Sequence, residues 1–487
     1  MQTHSTAAAS ASEKRKKMVP SGRRKKLESL SDRAPAIRVR RCIPDTKASG
    51  KEPARYRVRQ IFQDFLDPYL AEHGKELTPH KIDVLRAISK CGTGELGYTV
   101  SVCPDCGTTS FIPRSCGNSN CPCCGYLRRE TWLAERRAEV IQEMSYYHLV
   151  FTVPHELNPL IYNNQKLLLD LLFHSVQDAL LDLCLEKHNI KPGIIMILHT
   201  FGSSMTLHYH LHVLISAGGL TPDGSSFKKV KGFFLPVQKI SGQYRKNYMT
   251  GLRRLYEKEK LFFNGTAAAY SSEDTFKDLC DKCYDFLWNV NLKRYGSFVE
   301  EAKKKKPELP DVEDVINYFG RYTNRTAITS SRIKDVKEGK ITFEYKDYRT
   351  DGTYEKKNME LTVDEFIRRF ALHILPKGFR KIRMAGYLSG NVRKKNLKRI
   401  HDIQGDEYQP CPIRRGMKSI EIMKFLFGKD PVQCPKCSRP RYSFVSDTTE
   451  MAIYAIFKGK EKPSRYLEVS YKPRGPNVKQ ESLCPAF

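Results

Sequence analysis

Long apolar runs are missing from this chain. No segment approaches the ~20 consecutive apolar residues of a membrane-spanning helix, and no apolar stretch follows the first charges near the N-terminus. Neither a membrane partner nor a secretory leader is expected. Internal repeats are absent too, which excludes solenoid and propeller architectures. Acidic residues are in short supply, with 54 Asp and Glu against 83 Lys and Arg and a formal net charge of +29. Such an excess calls for a polyanion, because each phosphate neutralised releases condensed counterions and makes binding favourable and salt-sensitive. Lys303–Lys306 and the run from Arg393 to Arg399 show that the charge is not confined to a tail. Nucleic acid is the partner this distribution points to.

Cysteine, by contrast, is plentiful, at fifteen residues, several of them in C-x2-C pairs. In a chain without an export signal this favours metal ligation over disulfides, and a cytoplasmic, nucleoid-associated location. A length of 487 residues allows two or three domains. Residues 1–55 are rich in Ser, Ala, Lys and Arg without hydrophobic periodicity and read as a disordered basic arm. Over 56–140, two helical patterns (Ile61, Phe62, Phe65, Leu66, Leu70, then Ile82, Leu85, Ile88) lead into a Cys-rich stretch. A charged helix follows, Leu127–Ser145. Residues 141–390 mix strands and helices, so the expected fold class is α+β. They include a strand at Tyr146–Val153, a helix at Lys166–Leu185, and a hairpin of Ile194–Phe201 and Thr206–Ser216 turning at residues 202–205. Helices are expected at Ser272–Tyr295, Asp311–Thr323 and Val363–Leu372, and strands at Lys340–Tyr348 and Tyr354–Leu361. Residues 391–487 form a basic C-terminal region.

Leu207-His208-Tyr209-His210-Leu211-His212-Val213 sets three histidines at alternate positions. Strand side chains alternate faces, so the imidazoles share one face and Leu207, Tyr209, Leu211 and Val213 line the other. Neighbouring imidazoles ~7 Å apart at Cα can hold one divalent ion, which makes His208, His210 and His212 candidate ligands. His199 is a further candidate if the turn places it opposite His208. The alternative for His199 is a buried, hydrogen-bonded histidine near a turn, and a register slip of one residue would move it to the other face.

The helix expected from Asp311 opens behind Pro310 with acidic residues in its first turn. Val312, Val315, Ile316 and Phe319 form its apolar stripe. Tyr318 and Tyr322, at i and i+4, share a face on the flank of that stripe. Taken alone they read as core-edge packing. Beside a metal site that polarises a phosphate, two phenols become candidate nucleophiles, and Arg321 and Arg325 become candidate phosphate holders. A phosphotyrosine retains the energy of the broken phosphodiester, so the strand can be rejoined without ATP.

Cys103-Pro-Asp-Cys106 and Cys121-Pro-Cys-Cys124 form C-x2-C-x14-C-x2-C, close to a zinc-ribbon spacing. Four thiolates leave no open position, so the expected Zn2+ is structural and serves DNA binding. Cys91, Cys116 and Cys123 could exchange with these or complete a second site. Cys434-Pro-Lys-Cys437 stands as an isolated pair without an obvious second half, unless Cys411 or Cys484 contributes.

The order of these blocks adds to their content. A cysteine ribbon, Tyr-His-Leu-Val-Phe-Thr-Val-Pro-His-Glu-Leu-Asn (147–158), the histidine strand (199–213), Tyr-Phe-Gly-Arg-Tyr-Thr-Asn-Arg (318–325) and Pro-Lys-Gly-Phe with Ile-Arg (376–383) follow one another. The arrangement resembles the two-tyrosine rolling-circle transposases of the IS91 type, over roughly residues 57 to 440. That resemblance implies an HUH-type fold, a central antiparallel sheet flanked by helices. It implies that His210 and His212 hold Mg2+ or Mn2+, with His208 a third contact or a neighbour and a further polar ligand from another element. It implies Tyr318 and Tyr322 as nucleophiles acting on single-stranded DNA at element ends and on target DNA, in a protein that can form oligomers. Asn120 departs from the pattern, which has a histidine before the ribbon's second half. The rival readings are a replication initiator or relaxase with the same chemistry, a zinc hydrolase working through the histidines, and a zinc DNA-binding protein without activity.

Overall fold

The computed structural model describes residues 57–446 except 104, 107, 142–143, 231–234, 287, 295–311, 349–352, 414–415, 429, 431 and 441. The basic arm expected over 1–55, the Lys303–Lys306 run and Cys484 lie outside the described residues. The chain begins with α1 (Val58–His73), α2 (Pro79–Ser89), β1 (Tyr98–Val102), β2 (Thr109–Pro113) and α3 (Tyr126–Arg137). It continues through β3 (Tyr146–Thr152), α4 (Asn158–Asn163), α5 (Gln165–His188), β4 (Lys191–Phe201), β5 (Leu207–Leu220), β6 (Phe227–Lys229), α6 (Val237–Glu257), α7 (Glu273–Asp285) and β7 (Val290–Arg294). After α8 (Val312–Thr323) come β8 (Ile333–Lys337), β9 (Lys340–Tyr348), β10 (Tyr354–Thr362), α9 (Val363–Leu372), β11 (Ile382–Gly386), α10 (Arg393–Gln404), α11 (Ser419–Phe427) and β12 (Tyr442–Ser446).

Strands that are apolar on both faces must be covered on both, and this requirement organises the molecule. β4 buries nine consecutive residues, so it belongs in the middle of a sheet. The sheet runs β11-β4-β5-β3-β7 with β6 on β5, and its pairings are antiparallel. Tyr209, Leu211, Val213 and Ile215 of β5 point into a core shared with α5 and α6, among them Leu172, Val176, Tyr244 and Tyr248. The alternate residues point the other way. There Leu214, Ile195 and Ile197 pack with Val315, Ile316 and Phe319 of α8, Trp132 and Leu133 of α3, and Leu397 and Ile400 of α10. The face that carries His210 and His212 is therefore the face on which α8 lies.

A second core joins α1, α2 and α9 to the antiparallel sheet β10-β9-β8, and Cys91, Cys121 and Met205 are buried in it. A third sheet, β12-β1-β2, brings the end of the described chain back to its beginning. The result is the expected α+β class, an antiparallel sheet flanked by helices. Among the described residues no helix is long and apolar enough to cross a membrane.

Several elements differ from expectation, including three in or against the central sheet. The helix read over Ser272–Tyr295 ends at Asp285, and Val290–Arg294 is instead a strand paired to β3, with Leu292 opposite Leu149. An open sheet edge outweighs a weak local helix pattern, because pairing satisfies the backbone groups of both strands. The charged helix α3 stops at Arg137, and Ile141 and Met144 beyond it serve as core contacts. α6 was not anticipated, since its buried stripe (Ile240, Tyr244, Tyr248, Leu252) is half tyrosine.

Candidate active site and metal centres

β4 and β5 supply a cluster of imidazoles. His199 pairs with His210 and Ile197 with His212, so directly opposed side chains share a face. One nitrogen from each of His199, His210 and His212 lies within 4.8 Å of the others, and all three residues are buried. Burial, reinforced by neighbouring imidazoles, pulls His210 down to about 3 and His199 and His212 well below their ordinary range. They are therefore neutral near pH 7, with lone pairs to offer a cation.

Further partners select the tautomers. His210 donates from Nδ1 to the His208 carbonyl at 2.9 Å, and His199 donates from Nε2 to the Tyr322 carbonyl at 2.8 Å. A carbonyl oxygen only accepts, so the lone pairs sit on Nε2 of His210 and Nδ1 of His199. Nδ1 of His212 lies 3.0 Å from Nε2 of His148.

His208 needs correcting. It is exposed and stands outside the cluster. Pairing opposite His208 would have made His199 its neighbour, but His199 sits two residues further along β5, beyond a bulge between His199 and Phe201. A two-residue shift preserves the face while changing the partner. His199, a candidate from the neighbouring strand, thus joins His210 and His212 in the cluster.

α8 seats its apolar stripe on the sheet and so suspends both tyrosines over the imidazoles. The Tyr322 ring centroid is 4.0 Å from that of His212, and Tyr318 stands 5.5 Å from His148. The Tyr322 hydroxyl donates to that of Tyr318 at 2.9 Å. Burial first, then this hydrogen bond, pushes the Tyr322 phenol above its ordinary range. The Arg321 guanidinium lies 5.7 Å from the Tyr318 ring centroid. Exposed Arg325 acts electrostatically on Tyr322 and on all three clustered histidines.

Sequence reading passed over two contributors. His148 lies on β3 with the same facing as the cluster, and alternation within Tyr147–Val153 was the available signal. Lys381 also acts on His199, donates to Asn120 Oδ1 at 3.1 Å, and is pulled down to about 8 by burial. Asn120, which departs from the expected ribbon pattern, thus ties the cysteine module to the histidine site.

The four-cysteine ribbon also needs correcting. Cys103, Cys106, Cys121 and Cys124 do not converge on one centre. Cys121 and Cys124 meet Cys91 and Cys116, while Cys103 and Cys106 meet Cys434 and Cys437; each quartet has its sulfurs within 4.8 Å of one another. The physical reason is the β1–β2 hairpin, which carries the first C-x2-C pair away from the second. In the first quartet the Cys91–Cys124 and Cys116–Cys124 sulfurs are 3.5 and 3.7 Å apart. Zn–S bonds of ~2.3 Å in a tetrahedron require edges of ~3.8 Å, so these residues fit Zn2+.

Residues 61–153 match the family model described as "Transposase zinc-binding domain", and residues 193–396 match one described as "Putative transposase". The first segment contains Cys91, Cys116, Cys121 and Cys124, and the second contains the three clustered histidines and both tyrosines. The chain is 32% identical over 417 residues to "Putative transposase y4qJ" of Sinorhizobium fredii, covering 85% of this chain and 98% of the relative. It is 26% identical over 372 residues to "Transposase for insertion sequence element IS801" of Pseudomonas savastanoi pv. phaseolicola, covering 76% and 84%. No solved structure matches. With both segments matched in order and a relative aligned over nearly its whole length, this chain belongs to the IS91 family of transposases.

Proposed function

We propose that this transposase nicks single-stranded DNA at the ends of its mobile element and transfers the strand through a 5′-phosphotyrosine, by a rolling-circle-like route. One observation carries the reading: the hydroxyls of Tyr318 and Tyr322, 2.9 Å apart, belong to rings packed against the histidine site. Either phenol is then within reach of one phosphate docked on His199, His210 and His212. The residues between 141 and 390 act as the catalytic domain.

Three neutral imidazoles fit a divalent cation, and Mn2+ better than Mg2+, which favours oxygen ligands. When bound, such an ion polarises the scissile phosphate and stabilises the charge that develops in the transition state. Arg321 and Arg325 hold the flanking phosphates. The attacking tyrosine bonds through its oxygen to phosphorus and gives up its proton. The phosphorus–3′-oxygen bond breaks, and the departing 3′ oxygen takes up a proton, so the step balances without an external energy source. Two tyrosines can each hold a strand end, which suits transfer rather than cutting alone. The Cys91–Cys116–Cys121–Cys124 centre has no open position and serves as a structural Zn2+ site for the DNA-binding module.

Incubation with labelled single-stranded element ends and Mn2+ should give a covalent adduct on a denaturing gel, mapped by mass spectrometry to Tyr318 or Tyr322. Persistence of the adduct in the Tyr318→Phe/Tyr322→Phe double variant would overturn the assignment.

A further inference from the structure

The transposase reading leaves over two cysteine pairs, and they meet each other. Cys103-Pro-Asp-Cys106 lies in the β1–β2 hairpin, and Cys434-Pro-Lys-Cys437 repeats the pattern far downstream. Neither matched family segment, 61–153 or 193–396, reaches the second pair. The four sulfurs lie within 4.8 Å of one another. Cys103 is 3.4 Å from Cys437, and Cys106 is 3.6 Å from Cys434. These are near the ~3.8 Å edges of a tetrahedral Zn–S4 centre and far from the ~2.05 Å of a disulfide.

The backbone builds this site independently of the thiols. β12 pairs with β1 residue by residue, from Val102 opposite Tyr442 to Tyr98 opposite Ser446. Arg439 and Asp105 form an ion pair at 3.3 Å between the two turns. Each turn closes on itself: the Cys103 N–H donates to the Thr108 carbonyl at 3.0 Å, and the Cys434 N–H to the Arg439 carbonyl at 2.8 Å. The Ser438 N–H donates back to the Cys434 carbonyl at 2.8 Å, with Ser438 at φ 58°. Cys103 and Cys434 are 0% and 1% exposed, so at least one sulfur-bearing residue of each turn is shut away from water. Four soft, closely grouped sulfur donors without an open position are the donor set of structural zinc.

We infer that Cys103, Cys106, Cys434 and Cys437 form a second, closed Zn2+ site that staples the C-terminal segment onto the N-terminal module. The two centres differ in reach. The Cys91–Cys124 centre closes over a separation of 33 residues, whereas the staple joins positions 334 residues apart. It therefore spans the whole histidine and tyrosine domain in sequence and forms only after that domain has been made. Metal binding at such a site contributes directly to folding, because the unfolded chain does not present the four thiolates together.

The test is metal counting on the full chain, which does not depend on activity. On a His210→Ala/His212→Ala background, which removes the imidazole cluster as a third zinc site, the chain should hold two Zn2+ by elemental mass spectrometry, and the cysteine variants are counted on the same background. Cys103→Ser/Cys106→Ser and Cys434→Ser/Cys437→Ser should each hold one, and the quadruple variant should also hold one. Two Zn2+ in either double variant, or a quadruple variant that loses more than either double, overturns the shared site. Should a variant fail to fold, alkylation of zinc-loaded wild type decides. Cys434 and Cys437 should resist N-ethylmaleimide until a zinc chelator is added, and immediate modification of both overturns the proposal.

Discussion

The Nε2 of His199 donates to the main-chain carbonyl of Tyr322 at 2.8 Å, so a residue of the histidine cluster is fastened to the backbone of the tyrosine helix. The bond orients the His199 ring, leaves Nδ1 free for a cation, and fixes the height of α8 above the cluster. Loss of His199 should therefore act twice. His199→Ala is expected to abolish measurable Mn2+ binding by calorimetry and to abolish the tyrosine adduct. His148→Gln, which removes the neighbour of His212 Nδ1 but none of the three clustered imidazoles, should cost about 10–100-fold in metal affinity, the usual effect of an outer-shell partner. Equal losses in the two variants would mean that His148 is itself a ligand.

Three imidazoles, with no carboxylate in the cluster among the described residues, make a nitrogen donor set for a cation. Nitrogen donors favour later transition ions over hard, oxygen-seeking Mg2+. Adduct formation should therefore need lower concentrations of Mn2+ than of Mg2+ in parallel titrations. A clear preference for Mg2+ would indicate that DNA oxygens, rather than the histidines, supply most of the ligands.

Gly320 lets α3 and α8 come together. A Cβ there would sit 2.4 Å from Leu133 Cδ2 and 3.1 Å from its Cγ. Gly320→Ala should cost about 1–3 kcal/mol through overpacking, offset by about 1 kcal/mol of helix propensity. The expected outcome is a Tm lowered by a few degrees and slower adduct formation, as α8 is pushed off the sheet. Leu133→Ala in the same chain should recover part of the rate. No recovery would place the defect elsewhere.

Acid should weaken the fold through His373. This buried ring donates from Nε2 to the Met205 carbonyl at 3.0 Å and meets the Thr200 hydroxyl through Nδ1 at 3.1 Å. Burial chiefly, with some help from Lys381 and Lys81, pulls it down to about 4. The folded value lies below the unfolded one, ~6.5, so the unfolded chain binds the extra proton. Stability from this group is intact above that pH and lost as pH falls toward 4, at most about 3 kcal/mol. Urea unfolding from pH 7 to 4.5 should show a shallower decline for His373→Gln than for wild type. Identical slopes would show that His373 does not contribute.

Local periodicity settled much of this from sequence. Strand alternation put His210 and His212 on one face and Tyr209, Leu211 and Val213 on the other, as the sheet has them. Helix spacing put Tyr318 and Tyr322 side by side, as their hydrogen bond shows. The order of the motifs carried the family. These features depend on neighbours a few residues apart, and the chain states such neighbours directly. Only the tertiary structure decided that His199, not His208, joins the cluster, because a bulge set the β4–β5 register. Only the fold divided the ribbon cysteines between two quartets, because C-x2-C spacing describes a turn and not its partner. Cys103 and Cys437 meet through a strand pairing between β1 and β12, and contacts between distant segments arise from packing that no local pattern records.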